Sequence, residues 1–473
     1  MEARRLSAQS VLPAAVITLF FGACFFAVVR PAFLASWTNL AALVAIEIFF
    51  LALWRYERFF LPVLLIAFLW AGLDLPFARQ WEAARWAVLA AGAFLGSILW
   101  LRTRRLYLRT FHYFFFALVF AALGSALDSP YPRVALLKVL SLFLLFLYCA
   151  TGARVAIVSR IPTFVPAFLL GCEIAAWMSA ICCWAIAPNI FGNQNSLGAI
   201  TGVVLFPALL WGALAGQTAR LRRRRFVALV ICALLLYSSM ARAGMLAAVV
   251  AAAMLLLSMR RYKLSLACAA ALVALLAGAS FVAPSRVGEV KSSILYKQGS
   301  QHEGVLQSRR TVWDRTVTSI QEHPWLGTGF GTSAEGDTWN RLYVATENKI
   351  NREHGSSYLE VVEWLGILGA LPFAAVLALL LRQVWRVCLW IRQTRSPLHP
   401  AALVAAIVIA GLAHAIFEDW LLAVGYYLTV LFWPLAFSLM DLLPERRGIT
   451  AAPVSPRARG PEHTLNTFVD AKG

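Results

Sequence analysis

Ser308-Arg309-Arg310-Thr-Val-Trp313, His323-Pro-Trp-Leu-Gly-Thr-Gly-Phe-Gly331 and His354-Gly-Ser-Ser-Tyr-Leu-Glu360-Val-Val-Glu363-Trp-Leu-Gly366-Ile-Leu-Gly369 fall in or against the stretch 285–363. That stretch is the one long polar segment of a 473-residue chain. Sequence on either side of it is apolar in runs of helix length, so the helices read as a frame and the polar loop as what they carry. The chain is 61% hydrophobic and 14% charged. Soluble domains run at about 45–50% apolar and about 25% charged. A polytopic membrane protein is the class these proportions fit.

A bilayer core takes about 20 apolar residues as helix. The candidate spans are 11–29, 37–54, 59–77, 84–101, 108–127, 133–153, 163–187, 195–216, 225–241, 243–259, 263–283, 357–382, 401–416 and 419–440, giving about 12–14 depending on how short neighbours are merged. This divides the chain into a helical bundle over 1–283, a polar loop over 284–356, further membrane helices over 357–443 and a tail over 444–473. The tail, rich in Pro, Arg, Gly and Ala, reads as disordered. Met1-Glu-Ala-Arg-Arg5 leads straight into the first apolar run without a cleavage signature, so that run reads as a retained helix.

The net charge of +19 sits in short clusters between spans, among them Arg102-Thr-Arg-Arg105, Arg220 to Arg225 and Arg382 to Arg395. They fall at alternate connections, the pattern of a topology signal rather than of a nucleic-acid surface. The rule puts both termini in the cytoplasm and the long loop on the outer face. Seven of the eight cysteines lie inside apolar runs and no Cys-x-x-Cys occurs, so buried small side chains are the expectation.

Within the loop, Gln307 to Glu322 carries helical signals. Ser308 is a suitable N-cap, Trp313, Val317 and Ile320 follow an i, i+4, i+7 face, and Pro324 ends the run. A short amphipathic helix on the membrane surface fits. Gly327, Gly329 and Gly331 then mark an irregular turn.

Three helices that enter from the outer face begin near Asn195, Ala243 and Ser357. Helix N-termini suit phosphate oxygens. Asn195 fits equally an N-cap and a ligand contact. Arg242 interrupts an apolar run at an outer hairpin. An ionisable residue there is costly near the bilayer centre, and either snorkels to water or serves a ligand. Ser357-Tyr-Leu-Glu360 has the form of a capping box, which sets His354 one turn outside a helix start, at the membrane surface. Imidazole there titrates near neutral pH and suits a general base. Arg309 and Arg310 sit at a helix start against its dipole, where a pyrophosphate or plain solvation would favour them. No phosphate loop, nucleophile elbow, or His, Cys and carboxylate set at metal-ligand spacing appears. Glu47, Lys138 and Glu173 fall in or near spans and read as internally paired or cavity-lining.

Together these motifs resemble the Wzy/WaaL superfamily of O-antigen ligases and polymerases. The resemblance rests on Arg309 four residues before Trp313, on His323 to Gly331, on His354 to Leu359 and on Glu363 to Gly369. Ser239 and Arg242 resemble the family's Ser-Arg element. Asn193-Gln194-Asn195 resembles its Asn-Pro-Asn element, with Gln in place of Pro. The resemblance covers roughly 190–370. It implies an all-α polytopic membrane protein of GT-C-like architecture, in the bacterial inner membrane with its site facing the periplasm. It also implies an inverting glycosyltransferase that needs no metal or cofactor. The donor would be a polysaccharide on undecaprenyl pyrophosphate and the acceptor a lipid A–core sugar hydroxyl. By residue, Arg242, Arg309, Arg310 and Asn195 would hold the pyrophosphate, with His354, Arg242 and Arg310 catalytic. An O-antigen polymerase and a protein O-oligosaccharyltransferase share that donor. A lipid-linked sugar transporter is the alternative of another class, and would concentrate its ionisable residues near the midplane.

Overall fold

The computed structural model describes residues 51–72, 78–103, 106–186, 194–216, 218–267, 307–332 and 353–443, with isolated positions 36, 39, 49, 270 and 274. The expected span 11–29, most of 37–54 and of 263–283, Ser308's side chain, Glu47 and the tail lie outside the residues so described. Among the described residues every regular element is helical. Six helices are long and apolar enough to cross a membrane and four more are shorter apolar helices. The protein is an all-α polytopic membrane protein.

In chain order the helices, with two more polar ones (α7 and α9) among them, are α1 (Tyr56–Gly72), α2 (Ala78–Thr103), α3 (Thr110–Asp128) and α4 (Pro132–Val158). Next come α5 (Ile161–Ile181) and α6, which begins as Gln194–Ile200 and runs on through Phe206–Ala215. Then follow α7 (Ala219–Ser238), α8 (Arg242–Ser258), α9 (Gln307–Glu322), α10 (Ser357–Thr394), α11 (Pro400–His414) and α12 (Tyr427–Leu442). The sequence places most of these within a few residues. Two differ. α10 continues to Thr394 rather than 382, ending on Arg395 at φ 52°. α12 starts at Tyr427 rather than 419, because residues 415–425 are irregular turns. Their polar groups are spent on the start of α10: the Ser357 hydroxyl donates to Glu418 O (2.7 Å) and accepts from Trp420 N (2.8 Å) and Leu421 N (3.1 Å).

α10 is bent at Gly366 (φ 57°, ψ −163°). A bend inside a membrane helix frees backbone groups that lipid cannot satisfy. Here four of them find partners across the fold. Ile367 N donates to Pro324 O (2.8 Å), Leu368 N to Trp325 O (3.3 Å), and Glu363 O receives Thr328 N (2.9 Å). Trp364 O receives the Ser125 hydroxyl of α3 (2.5 Å). A Cβ on Gly366 would strike the backbone of Trp325, and one on Gly327 (φ 73°) would strike that of Glu363 and Trp364. The two glycine motifs of the sequence are therefore one interlocked joint. Beyond it, Lys138 of α4 donates to Gly331 O (2.6 Å), and Phe330 packs edge-on against Trp364.

A second close approach joins α6 and α8. Gly198 and Gly202, four apart on one face of α6, leave no room for a side chain against Ala241 and Gly244. Small residues let membrane helices touch backbone to backbone. This brings the start of α8 against the start of α6.

The far end of the bundle is closed by Arg154, which is fully buried. Its guanidinium donates to Asp441 Oδ2 (2.7 Å), Ala150 O (2.9 Å) and Tyr107 O (2.8 Å). Arg224 and Arg225 pair with Glu173, so Glu173 and Lys138 are both internally paired. The described cysteines are free, and Cys149, Cys172, Cys183 and Cys232 are buried.

Candidate active site

The starts of α6 and α8, the face of α9 and the turn after α11 meet around a cavity of about 200 Å³, lined by Asn195, Arg242, Arg309, His414, Phe417 and Glu418 among others. Arg242 is the first residue of α8. It is presented by a tight turn in which Met240 takes φ 48°, the Ser239 hydroxyl accepts from Ala241 N (3.3 Å), and the same hydroxyl donates to Leu236 O (2.7 Å). The serine of the Ser-Arg element thus shapes the turn that carries the arginine.

α9 covers 307–322 as its sequence suggests, but its packed face differs from the apolar one expected. Thr316 is buried while Val317 is 43% exposed, so the face runs through Arg309, Trp313, Thr316 and Ile320. Residues four apart share a helix face, which explains the Arg-x-x-x-Trp spacing. Trp313 Nε1 donates to Gly355 O (3.1 Å) and its ring stacks on Phe417 at 6.3 Å, holding Arg309 over the cavity. Arg310, one residue on, is exposed and is not among the residues lining the cavity.

Arg309 Nη2 donates to Glu418 Oε1 (2.6 Å) and Nη1 to Glu353 Oε1 (2.5 Å). Asn195 Nδ2 reaches the same Glu418 oxygen at 3.5 Å. Asn195 lies in the first turn of α6, not at its cap. Among the described residues two arginines and one carboxylate line the cavity, a net positive set at a helix start.

His354 sits behind this wall. It is fully buried rather than at the surface where its sequence position suggests. Its backbone N–H donates to Asp419 Oδ2 (2.7 Å). Nε2 lies 3.2 Å from Glu363 Oε2, and Nδ1 lies 3.8 Å from Glu360 Oε1 and 3.6 Å from Asp419 Oδ2. The expected capping box is not formed. Ser356 is the cap position, Ser357 serves the 418–421 turn, and Glu360 turns to the imidazole. Burial by itself lowers the His354 pKa; the facing carboxylates of Asp419 and Glu363, and the field of Glu360, outweigh it and raise the group to about 9. The imidazole is therefore held as a cation at neutral pH. Among the described residues, His354, Glu360 and Asp419 are the group whose donor atoms could jointly hold a metal ion, all within 4.8 Å of one another. The protonated imidazole already supplies positive charge there.

The structure thus gathers Arg242, Arg309 and Asn195 on one cavity, sets His354 one layer behind it, and leaves Arg310 outside. Sequence reasoning missed Glu418 and Asp419 and the pairing of Glu360 and Glu363 with His354. Two adjacent acids at the end of an apolar span were the available signal.

No curated protein matches the chain. Residues 227–374 match the family model described as O-antigen ligase. That segment contains Arg242, Arg309 and His354, while Asn195, Glu418 and Asp419 lie outside it. By this match, and by the motifs that converge on the cavity, residues 227–374 are similar to the O-antigen ligase family.

Proposed function

We propose that the protein transfers a polysaccharide from undecaprenyl pyrophosphate to a sugar hydroxyl of lipid A–core at the periplasmic face of the inner membrane, with inversion and without a metal. The observation that carries this is the convergence of Arg242 and Arg309, from separate elements, on one cavity at two helix starts. Pyrophosphate is a leaving group that needs charge stabilisation more than protonation, and preorganised guanidinium groups supply it. Glu418 holds Arg309 in the resting arrangement, and the donor's phosphates take its place. Asp419 is the cluster member with a partly exposed carboxylate (18%). It relays the acceptor's proton to His354 in its neutral form, as the hydroxyl oxygen bonds to the anomeric carbon and the C–O bond to pyrophosphate breaks. Arg310 then serves as a solvated charge.

The test is reconstitution in liposomes with lipid-linked polysaccharide, offering lipid A–core, a second lipid-linked repeat and an acceptor protein in parallel. Transfer to lipid A–core alone is expected, and persists with a chelator. Elongation of the second repeat instead would make the protein a polymerase. Glycan on the protein acceptor would make it an O-oligosaccharyltransferase, and net transport without transfer would remove the enzyme reading.

A further inference from the structure

A second cavity lies away from the arginine site. Between α1 and α5, with α6 and α12 behind, runs a cleft of about 660 Å³, walled by Leu65, Leu69, Phe164, Phe168 and Leu431 among others. Phe59 and Ile66, each 51% exposed, stand along it. The cleft extends from Arg58 to Leu69 on α1, about 16 Å at 1.5 Å per residue. At its Arg58 end it shares Arg58 and Arg160 with a neighbouring pocket of about 470 Å³ that also takes in Arg55 and Arg102. No carboxylate is among the described residues lining either.

The direction of the cleft matters. Gly72, at the other end of α1, packs near Tyr427, whose hydroxyl donates to Ser196 O beside Asn195. The four arginines therefore lie at the end of the bundle opposite the Arg242 and Arg309 cavity. A lipid with its headgroup on Arg58 and its tail in the cleft cannot also place a phosphate in that cavity.

We propose that this cleft is a binding site for an anionic glycerophospholipid, its phosphate held by Arg58, Arg102 and Arg160 and an acyl chain along α1 and α5. Basic pockets between membrane helices recognise anionic headgroups, and an apolar cleft open to the bilayer takes the chain. The site is distinct from the transfer site and independent of its function.

Gly171 offers a clean probe. It lines the cleft, and a Cβ built on it meets nothing within 4 Å. Gly171→Leu puts a branched apolar side chain into the cleft from an unobstructed Cβ position and raises helix propensity. Full-length protein is delipidated in detergent, then offered dioleoyl phosphatidylglycerol, dioleoyl phosphatidylethanolamine or inorganic phosphate, with native mass spectrometry as the readout. One phosphatidylglycerol per chain is expected in preference to the zwitterionic lipid. Both Gly171→Leu and the Arg58→Gln, Arg102→Gln pair should lower its retention roughly tenfold with transfer unchanged. Equal retention of the two lipids, or retention untouched by both variants, overturns the site. Competition by inorganic phosphate alone would reduce it to an ion site. A rise in donor KM in Gly171→Leu would instead make the cleft the bed of the donor's isoprenoid tail.

Discussion

Both ends of this bundle put arginines against carboxylates, and they do so in opposite ways. At one end Arg154 is fully buried and each guanidinium nitrogen has a fixed partner in Asp441, Ala150 or Tyr107. At the other, Arg309 keeps 15% exposure at the edge of a cavity, and its partners Glu418 and Glu353 are 20% and 63% exposed. A buried charge whose donors are all satisfied is locked, since moving it strands its partner. A charge whose partners reach solvent can trade them for another anion. The first arrangement holds a structure and the second holds a place for a ligand.

His354 tests that distinction hardest, because it is as buried as Arg154 yet borders the working end. If it works, His354→Ala lowers transfer by about 10²–10⁴-fold in protein that still folds and binds donor, its melting temperature lowered only by the loss of the imidazolium's contribution. A collapse of the melting temperature with the activity would instead put His354 in the class of Arg154. His354→Gln, which keeps much of the volume, separates lost chemistry from lost packing.

Arg154→Ala should behave as a structural break, costing up to about 3–5 kcal/mol by emptying a fully buried site and leaving Asp441 with the partly exposed Arg109. It is read as a lowered melting temperature with unchanged specific activity in whatever fraction folds. Arg309→Ala should do the reverse, cutting kcat by about 10²–10³-fold in a stably folded protein. Arg310→Ala on the same helix should change little. Equal losses for the two neighbours would undo the assignment of Arg309 to the cavity.

The contrast also shows what the sequence could and could not reveal. Hydrophobic run length found most of the helices, since a bilayer dictates that length whatever the packing. The glycines of 327–331 were legible as an irregular turn, but Gly366 was read inside an unbroken span, and the two were not legible as halves of one joint because their contact is made across the fold. Arg242 stood out as a lone charge in an apolar run. Arg309 and Arg310 could not be told apart until the buried face of α9 was known, and that face is centred on Thr316, whose polarity hides it from an apolar pattern. The turn at 415–425 was read as helix because Trp420, Leu421 and Leu422 are as apolar as any span. Ser357, Thr429 and Trp433 take backbone groups of that stretch across the fold, and the irregular turn they hold brings Glu418 and Asp419 into the site.

A smaller effect follows from the charge on His354. Its pKa in the folded protein, about 9, lies above its ordinary value of 6.5. Stability gained from the imidazolium is therefore full below pH 6.5 and is lost as pH rises through 9. Transfer runs the other way if the neutral imidazole takes the proton, rising by about tenfold per pH unit from pH 6 towards 9. The melting temperature should fall over the upper part of that range, and less so in His354→Gln. A transfer rate flat between pH 6 and 9 would remove His354 from the proton path without touching the arginine assignments.

The finest test is Glu418→Gln. In the resting arrangement the Glu418 carboxylate competes with the donor for Arg309 and sits within reach of Asn195. The amide keeps the size and an oxygen but gives up the charge. A partly exposed ion pair is worth about 0.2–1 kcal/mol, so the donor KM should fall by only about twofold to fivefold. The same change at Asp441, Asp441→Asn, should leave donor KM alone and lower stability instead, because Arg154 has no ligand waiting to replace it. A rise in donor KM for Glu418→Gln would mean that Glu418 positions Arg309 for the donor rather than standing in its place. The working end would then be as fixed as the closed one.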